Sequence, residues 1–179
     1  MKVVNKEKLL QQNDWTWTLA TPLDVQDIVD MARENFQVEV DNIFTINEQY
    51  YHYNIATAVT DQIYYLQKQQ LIVCRSNITG ALLAYAWVGR GTLTPYSFDE
   101  IAEARMAHLD LNLSARKRFA IITQMIEHWE AWARACGIPV LVSTSIRQEQ
   151  TAFMRLHQQL GFSVKGSIAY KRLQEQINE

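Results

Sequence analysis

The chain has 179 residues, 48% of them apolar and 20% charged, which suits one globular domain. A formal net charge of -2 excludes a strong overall attraction to nucleic acid or an anionic membrane, so neither is an expected partner. Because the start of the chain, Met1 to Glu7, lacks an apolar signal core and the longest apolar run, Ile78 to Val88, is too short to cross a bilayer, we expect a cytoplasmic protein.

The two cysteines, Cys74 and Cys136, lie in apolar segments and have neither metal nor redox spacing. Free cysteines of this kind are usually buried, so the sequence predicts two reduced core residues. The histidines and carboxylates also lack metal-ligand spacing, and we therefore expect no bound metal.

The first elements in chain order are a strand and a helix, after an expected extension over residues 1–13 and within a single domain over 14–179. Apolar residues alternate with threonines over 15–19, which predicts a strand. Thr21-Pro22-Leu23-Asp24 then combines a capping residue, a proline suited to the first turn and a favourable carboxylate, which predicts a helix start. The apolar face of that helix consists of Val25, Ile28, Val29, Ala32 and Phe36.

The middle of the chain predicts a second helix and a three-stranded meander. A weaker helical pattern covers 46–61, bears Tyr50, Tyr51, His52 and Tyr53, and leaves open whether this helix is one piece. Strands are predicted over 71–74 and 81–88 with a turn at 77–80, followed by a loop over 89–95. A further strand is predicted over 101–111, with Glu103, Arg105, His108 and Asp110 as its polar residues.

The strongest helical pattern begins at Ser114 and ends before Gly137 and Pro139. Its apolar stripe is Ile122, Met125, Ile126, Trp129, Ala133 and Cys136. A buried strand is predicted over 139–145, a helix over 152–160, and a closing strand or hairpin over 162–173. The predicted fold class is therefore α/β (α+β), with a mixed, mostly antiparallel central sheet and helices on both faces.

This order of elements resembles the GCN5-related N-acetyltransferase (GNAT) superfamily, from Trp15 to Leu173. Leu19 to Asp24 resembles the family's opening strand and first helix, and Leu111 to Ile126 its coenzyme-binding strand, loop and helix. Gln150 to Phe162, with its Leu160-Gly161-Phe162 ending, resembles the closing helix. The resemblance implies a GNAT-like fold that transfers an acyl group from acetyl-coenzyme A (acetyl-CoA) to an amine of a small molecule or a protein.

In that family a glycine-rich loop and the following helix N-terminus hold the coenzyme's pyrophosphate. The corresponding segment here has no glycine, and Ala120 or Phe119 stands at the central glycine's position, depending on the register. The residues that the resemblance assigns to coenzyme binding are Leu111, Leu113, Ser114, Ala115, Arg116, Lys117, Arg118, Phe119, Ala120 and Gln150. If the strands near Leu111 and Val140 splay apart, a pantetheine arm would have room between them.

Three consecutive cations, Arg116 to Arg118, stand at the predicted helix start, where their charge opposes the helix dipole. They could bind the coenzyme's phosphates, contact nucleic acid or an acidic partner, or simply be solvated. All three interpretations stay open at this point.

The resemblance places His157 where the family often has a tyrosine that protonates the leaving thiolate. His157 could instead be a residue of the helix surface or of a groove. Glu103, His108 and Asp110 are candidate general bases, although strict alternation would put Glu103 on the opposite sheet face from the other two. His108 could also be a satisfied residue of the sheet.

The glycine-free loop combined with the intact Leu-Gly-Phe ending also resembles divergent acetyltransferase-like proteins of tailed bacteriophages. Two functions follow. The first is an acetyl-CoA-dependent N-acetyltransferase with a degenerate cofactor loop, whose amine lies between the tyrosine-bearing second helix and the sheet edge. The second is a non-catalytic structural or assembly protein of a phage particle, found in the host cytoplasm or the virion, with other virion proteins as partners.

Overall fold

The structure is a computed structural model that describes residues 14–39, 44–145 and 151–165. Its strands are β1 (Trp15–Leu19), β2 (Gln69–Ser76), β3 (Leu82–Arg90), β4 (Ile101–Leu109) and β5 (Val140–Val142). Its helices are α1 (Val25–Glu39), α2 (Glu48–Tyr64), α3 (Ala115–Ala135) and α4 (Thr151–Gln159). The predicted extension over 1–13 and most of the predicted closing strand lie outside the described residues.

The five described strands form one sheet in the order β1-β2-β3-β4-β5. The first four are antiparallel neighbours, while β5 pairs parallel to β4 after the crossover through α3. The sheet is therefore mixed and mostly antiparallel, as the sequence predicts.

Both faces of the sheet are covered by helices, which explains the continuous apolar run in β2. Leu71 and Val73 face α1 and α2, whereas Ile72 faces α3 and α4. The first face packs on Ile28, Ala32, Ile55 and Val59, and the second on Met125, Ile126, Trp129 and Leu156. Strands buried on both faces lose the apolar-polar alternation that a one-sided strand keeps.

The start of α1 follows the predicted capping chemistry. The backbone N–H and the hydroxyl of Thr21 both donate to Asp24 Oδ2, at 2.8 and 2.7 Å. Burial alone would raise the pKa of Asp24, but the hydrogen bonds from Thr21 and Arg75 outweigh it and hold that pKa below its ordinary value. The carboxylate thus ties the helix start to β2.

Several predicted elements take a more definite or a different form in the structure. α2 is one continuous helix, started by Asn47, whose side chain accepts from the Tyr50 N–H at 2.8 Å. β3 extends through Arg90 into the predicted loop, and β4 ends at Leu109, so Leu111 lies outside the strand. The predicted buried strand over 139–145 is only Val140–Val142, and Val140 is 37% exposed because β5 is the edge of the described sheet.

The structure also decides the predictions about the two cysteines and about the residues after α4. Cys74 is buried, which raises the pKa of its thiol to about 12, whereas Cys136 is only partly buried. The prediction of two core cysteines is thus right for Cys74 alone. Residues 162–165 contain no strand, and 166–173 lie outside the described residues. None of the helices in the described ranges is long and apolar enough to span a membrane.

The buried side chain of Gln62 gives a test of this architecture. Its amide donates to Ala20 O at 2.7 Å and accepts from Leu71 N at 2.8 Å, so it satisfies two backbone groups where β1 leaves β2. We expect Gln62→Leu to lower the free energy of unfolding by about 2–4 kcal/mol, because two buried polar groups lose their partners. Urea unfolding measures this.

The matched control is Gln49→Leu, the same change at an exposed position of the same helix. It should alter the unfolding free energy by less than about 0.5 kcal/mol. Equal effects of the two substitutions would contradict the bridging role of Gln62.

Candidate functional site

A β-bulge interrupts β4 near its middle. Trp87 of β3 pairs with Met106, but the next residue, Val88, pairs with Ala104, so Arg105 is the extra residue of the bulge. A bulge of this kind bends the strand and shifts its side-chain alternation by one position.

The bulge reverses the prediction about Glu103. Glu103 lies opposite Gly89, and His108 lies opposite Tyr85. Since 85 and 89 are an even number of residues apart on β3, Glu103 and His108 share one face of the sheet, the face of α1 and α2. The expectation that alternation separates them is wrong, because it assumed an uninterrupted strand.

Pairing between β4 and β5 stops at the rung before this bulge. Ile101, Ala102 and Glu103 pair with Val140–Val142, whereas the rest of β4, through Leu109, has no β5 partner among the described residues. Glu103 therefore stands at the last rung of the parallel pair. A pantetheine arm between the two strands stays a prediction.

The loop after β4 leads to an exposed helix N-terminus. Ser114 caps α3: its hydroxyl oxygen accepts a hydrogen bond from the Lys117 N–H, and the N···O distance is 3.4 Å. Residues 114–119 are all exposed, and Ala120 is partly buried. The Phe119 side chain is itself 54% exposed, so it does not bury itself in this corner. Unpaired first-turn N–H groups and the helix dipole make such a corner suitable for an anion.

The predicted coenzyme residues differ in their surroundings. Leu113 packs against the cluster of Cys74, Ala84 and Ile121, which anchors the loop, while Leu111 is 36% exposed. Lys117 Nζ lies 3.6 Å from Asp14 Oδ2. In the described part of the chain no ion pair involves Arg116 or Arg118. Gln150 lies outside the described residues.

His108 belongs to a buried polar network. Its Nδ1 lies 2.6 Å from the Tyr85 hydroxyl and its Nε2 lies 2.8 Å from Glu39 Oε2. The Tyr85 hydroxyl is in turn 2.7 Å from that of Tyr51, and burial raises the pKa of both tyrosines. Because His108 is fully buried with both nitrogens engaged, the interpretation as a satisfied sheet residue is confirmed.

His157 is also buried, at 2% exposure, so the interpretation as a surface or groove residue is wrong. Its Nδ1–H donates to Phe153 O at 2.9 Å, and its ring lies 4.8 Å from that of Phe162. Nε2 is buried and has no partner among the described residues. Burial lowers the pKa of this ring, which favours the uncharged form. Its role as a proton donor stays a prediction.

Two of the three candidate bases reach the surface. Glu103 is exposed at the end of the β4–β5 pairing. Asp110 is partly buried and lines a separate open groove of about 460 Å³, together with carboxylates of α1. Within residues 14–39, 44–145 and 151–165, no group of three His, Cys, Asp or Glu side chains could hold a metal ion.

The mixed, mostly antiparallel sheet with two helices on each face is the GNAT-like architecture that the sequence predicts, and similar solved structures share it. No protein-family model matches the chain, and no curated protein matches its sequence. Solved structures of acetyltransferases match over most of the chain.

The aminoglycoside N-acetyltransferase AAC(6')-Iy in complex with CoA is 10% identical with a TM-score of 0.66, over 88% of this chain and 93% of that one. AAC(6')-Iy in complex with the bisubstrate analogue CoA-S-monomethyl-acetylneamine has a TM-score of 0.65 and 10% identity, over 89% of this chain and 98% of that one. The ribosomal-protein-alanine N-acetyltransferase of Brucella melitensis biovar Abortus 2308 has a TM-score of 0.62 and 11% identity, over 89% of this chain and 99% of that one. Identities this low show a shared fold, and the resemblance to phage proteins stays a prediction.

The burial of His157 predicts a pH effect on stability. Its pKa lies below the ordinary value of 6.5, so the unfolded chain takes up the proton more readily. The contribution of the uncharged ring to the unfolding free energy is then fully present above pH 6.5 and is lost as the pH drops below it. We expect His157→Phe to lose less unfolding free energy than the wild type between pH 8 and pH 5 in urea titrations.

The control is His52→Phe at an exposed position, which should keep the wild-type pH dependence. A steeper pH dependence in His157→Phe than in the wild type would mean that the buried ring is charged.

Proposed function

We propose that this chain is an acetyl-CoA-dependent N-acetyltransferase that acts on an amine. The observation that carries the proposal is the open N-terminus of α3, which follows directly on the strand whose pairing with β5 stops at Glu103. The fold supports the same reaction class, because the solved structures that match include acetyltransferases in complex with CoA and with a bisubstrate analogue.

The residues at the start of α3 fit a phosphorylated donor despite the missing glycines. The first-turn N–H groups of Ala115 and Arg116 have no intrahelical acceptor by geometry, and the helix dipole favours negative charge there. The exposed guanidinium groups of Arg116 and Arg118 add two cations. These groups would hold the pyrophosphate of acetyl-CoA, which supplies the reactive acyl thioester.

Glu103 is the base that the geometry favours. Its exposed side chain lies at the last rung that pairs β4 with β5, on the sheet face that the bulge gives it. The carboxylate would accept the proton that the acceptor nitrogen loses as the nitrogen bonds to the acyl carbon. His108 cannot contact an acceptor directly, since it is fully buried.

Most of the rate in this mechanism comes from position. Holding an amine beside a thioester removes a large entropic barrier, of about 7–11 kcal/mol when the geometry is good. Of the residues proposed here, those of α3 place the donor and Glu103 places the acceptor. His157 remains a candidate proton donor to the leaving sulfur through Nε2, which carries a proton only in the charged ring.

Calorimetry with CoA tests the donor site. We expect binding at micromolar concentrations, weakened at least about tenfold in the Arg116→Glu, Arg118→Glu double variant, because a charge-assisted hydrogen bond contributes about 1.5–3 kcal/mol. Arg134→Glu, at the opposite end of the same helix, is the matched control and should bind CoA normally. No binding at millimolar CoA would contradict the enzyme and favour a non-catalytic protein of the same fold.

Steady-state assays of acetyl transfer test the base. We expect Glu103→Gln to lower kcat by about 10²- to 10⁴-fold while CoA binding stays unchanged, since general base catalysis has that magnitude. Asp110→Asn is the comparison, because Asp110 is the other candidate that reaches the surface. Loss of activity in Asp110→Asn with normal activity in Glu103→Gln would contradict the role of Glu103 and make Asp110 the general base.

A further inference from the structure

The guanidinium of Arg105, the bulge residue, is fixed in place by uncharged partners. Nη1 donates to Gln69 Oε1 at 3.2 Å, and Nη2 donates to Arg90 O at 3.0 Å. Its Cζ lies 5.4 Å from the centre of the Trp87 ring, in a cation–π arrangement. The group is therefore oriented in advance, and little conformational freedom remains to be lost on binding a ligand.

In the described part of the chain no carboxylate lies within ion-pair distance of this cation, and Arg105 is exposed. Other arginines of the protein do have acidic partners. Arg33 contacts Glu48 at 2.6 Å and Arg75 contacts Asp24 at 2.6 Å, while Arg90 pairs with Glu100. Arg105 keeps N–H groups that only solvent or a ligand can use.

Several residues hold Arg105 in this position. Gln69 is 3% exposed, and its amide is oriented by donating to Asp61 Oδ2 at 3.1 Å, which turns Oε1 toward Arg105 and Trp87. Gly89 leaves the room, because a Cβ there would lie 2.7 Å from Arg105 Nε. A buried amide, an aromatic ring and a glycine that leaves room together support the guanidinium in this position.

Arg105 also lies close to the proposed base. Gly89 pairs with Glu103 and makes room for the Arg105 side chain, so both residues are on the α1–α2 face of β4. Only Ala104 separates the two residues along the chain. One group that accepts a proton from an amine and one that binds an anion thus stand side by side.

We propose that Arg105 binds a carboxylate of the acceptor, so that the substrates are amines carrying a carboxylate near the reacting nitrogen, as amino acids do. This inference rests on the proposed function and assigns the substrate class of the same site. The planar guanidinium matches a carboxylate in two parallel hydrogen bonds, which gives specificity as well as affinity.

Pairs of acceptors that differ only in the carboxylate test the proposal in steady-state assays: L-phenylalanine against phenethylamine, and L-lysine against cadaverine. We expect the wild type to favour the carboxylated member at least tenfold in kcat/KM. Arg105→Gln should raise KM for that member at least tenfold, leave kcat within threefold, and leave the decarboxylated member unchanged. Arg105→Lys should recover part of the preference, because lysine keeps the positive charge. A purely structural role of the Arg105 hydrogen bonds would not predict this recovery.

Arg134→Gln removes a cation at the far end of α3 and should keep the preference. Calorimetric titration of the same pairs onto the CoA-saturated protein gives a second readout that needs no turnover. Equal turnover and equal binding of the two members by the wild type would overturn the carboxylate site and leave the acetyltransferase intact. Failure to bind CoA would overturn the proposed function itself.

Discussion

The β-bulge at Arg105 is the constraint on which the candidate site depends, because it changes what each side of β4 offers. It moves Glu103 to the same sheet face as His108, and it puts Arg105 and Met106 on that face together. Pairing with β5 stops at the neighbouring rung. Bulges bend a strand and re-aim its side chains. One inserted residue thus determines which side chains of β4 share the face of α1 and α2.

The face of the sheet that carries these groups has a covered half and an open half. Under α1 and α2, Tyr85 and His108 are fully buried and hydrogen-bonded, so burial of their polar atoms is compensated. Toward β5, Glu103 and Arg105 are exposed. The covered half holds the helices in register on the sheet, and a rigid frame of that kind is what precise placement of a substrate requires.

The sequence predicted the order of the described elements and the starts of α1 and α3, because caps and apolar periodicity are local signals that survive without tertiary information. Thr21 and Ser114 are examples. It could not predict the face of Glu103, because a bulge is a property of two paired strands. Nor could it predict the pairing of Glu39 with His108, which are 69 residues apart, or the burial of His157, which depends on packing against Phe162. The short, half-exposed β5 was missed because an apolar run does not reveal how far its partner strand accompanies it.

The buried network also fixes the direction of its own hydrogens. A carboxylate at Glu39 can only accept, which fits the His108 tautomer that carries its hydrogen on Nε2 and a lone pair on Nδ1. Tyr85 must then donate to the ring and Tyr51 to Tyr85, so all three hydrogens point toward α1. The tautomer of one histidine therefore sets the orientation of two tyrosine hydroxyls contributed by a different helix and a different strand.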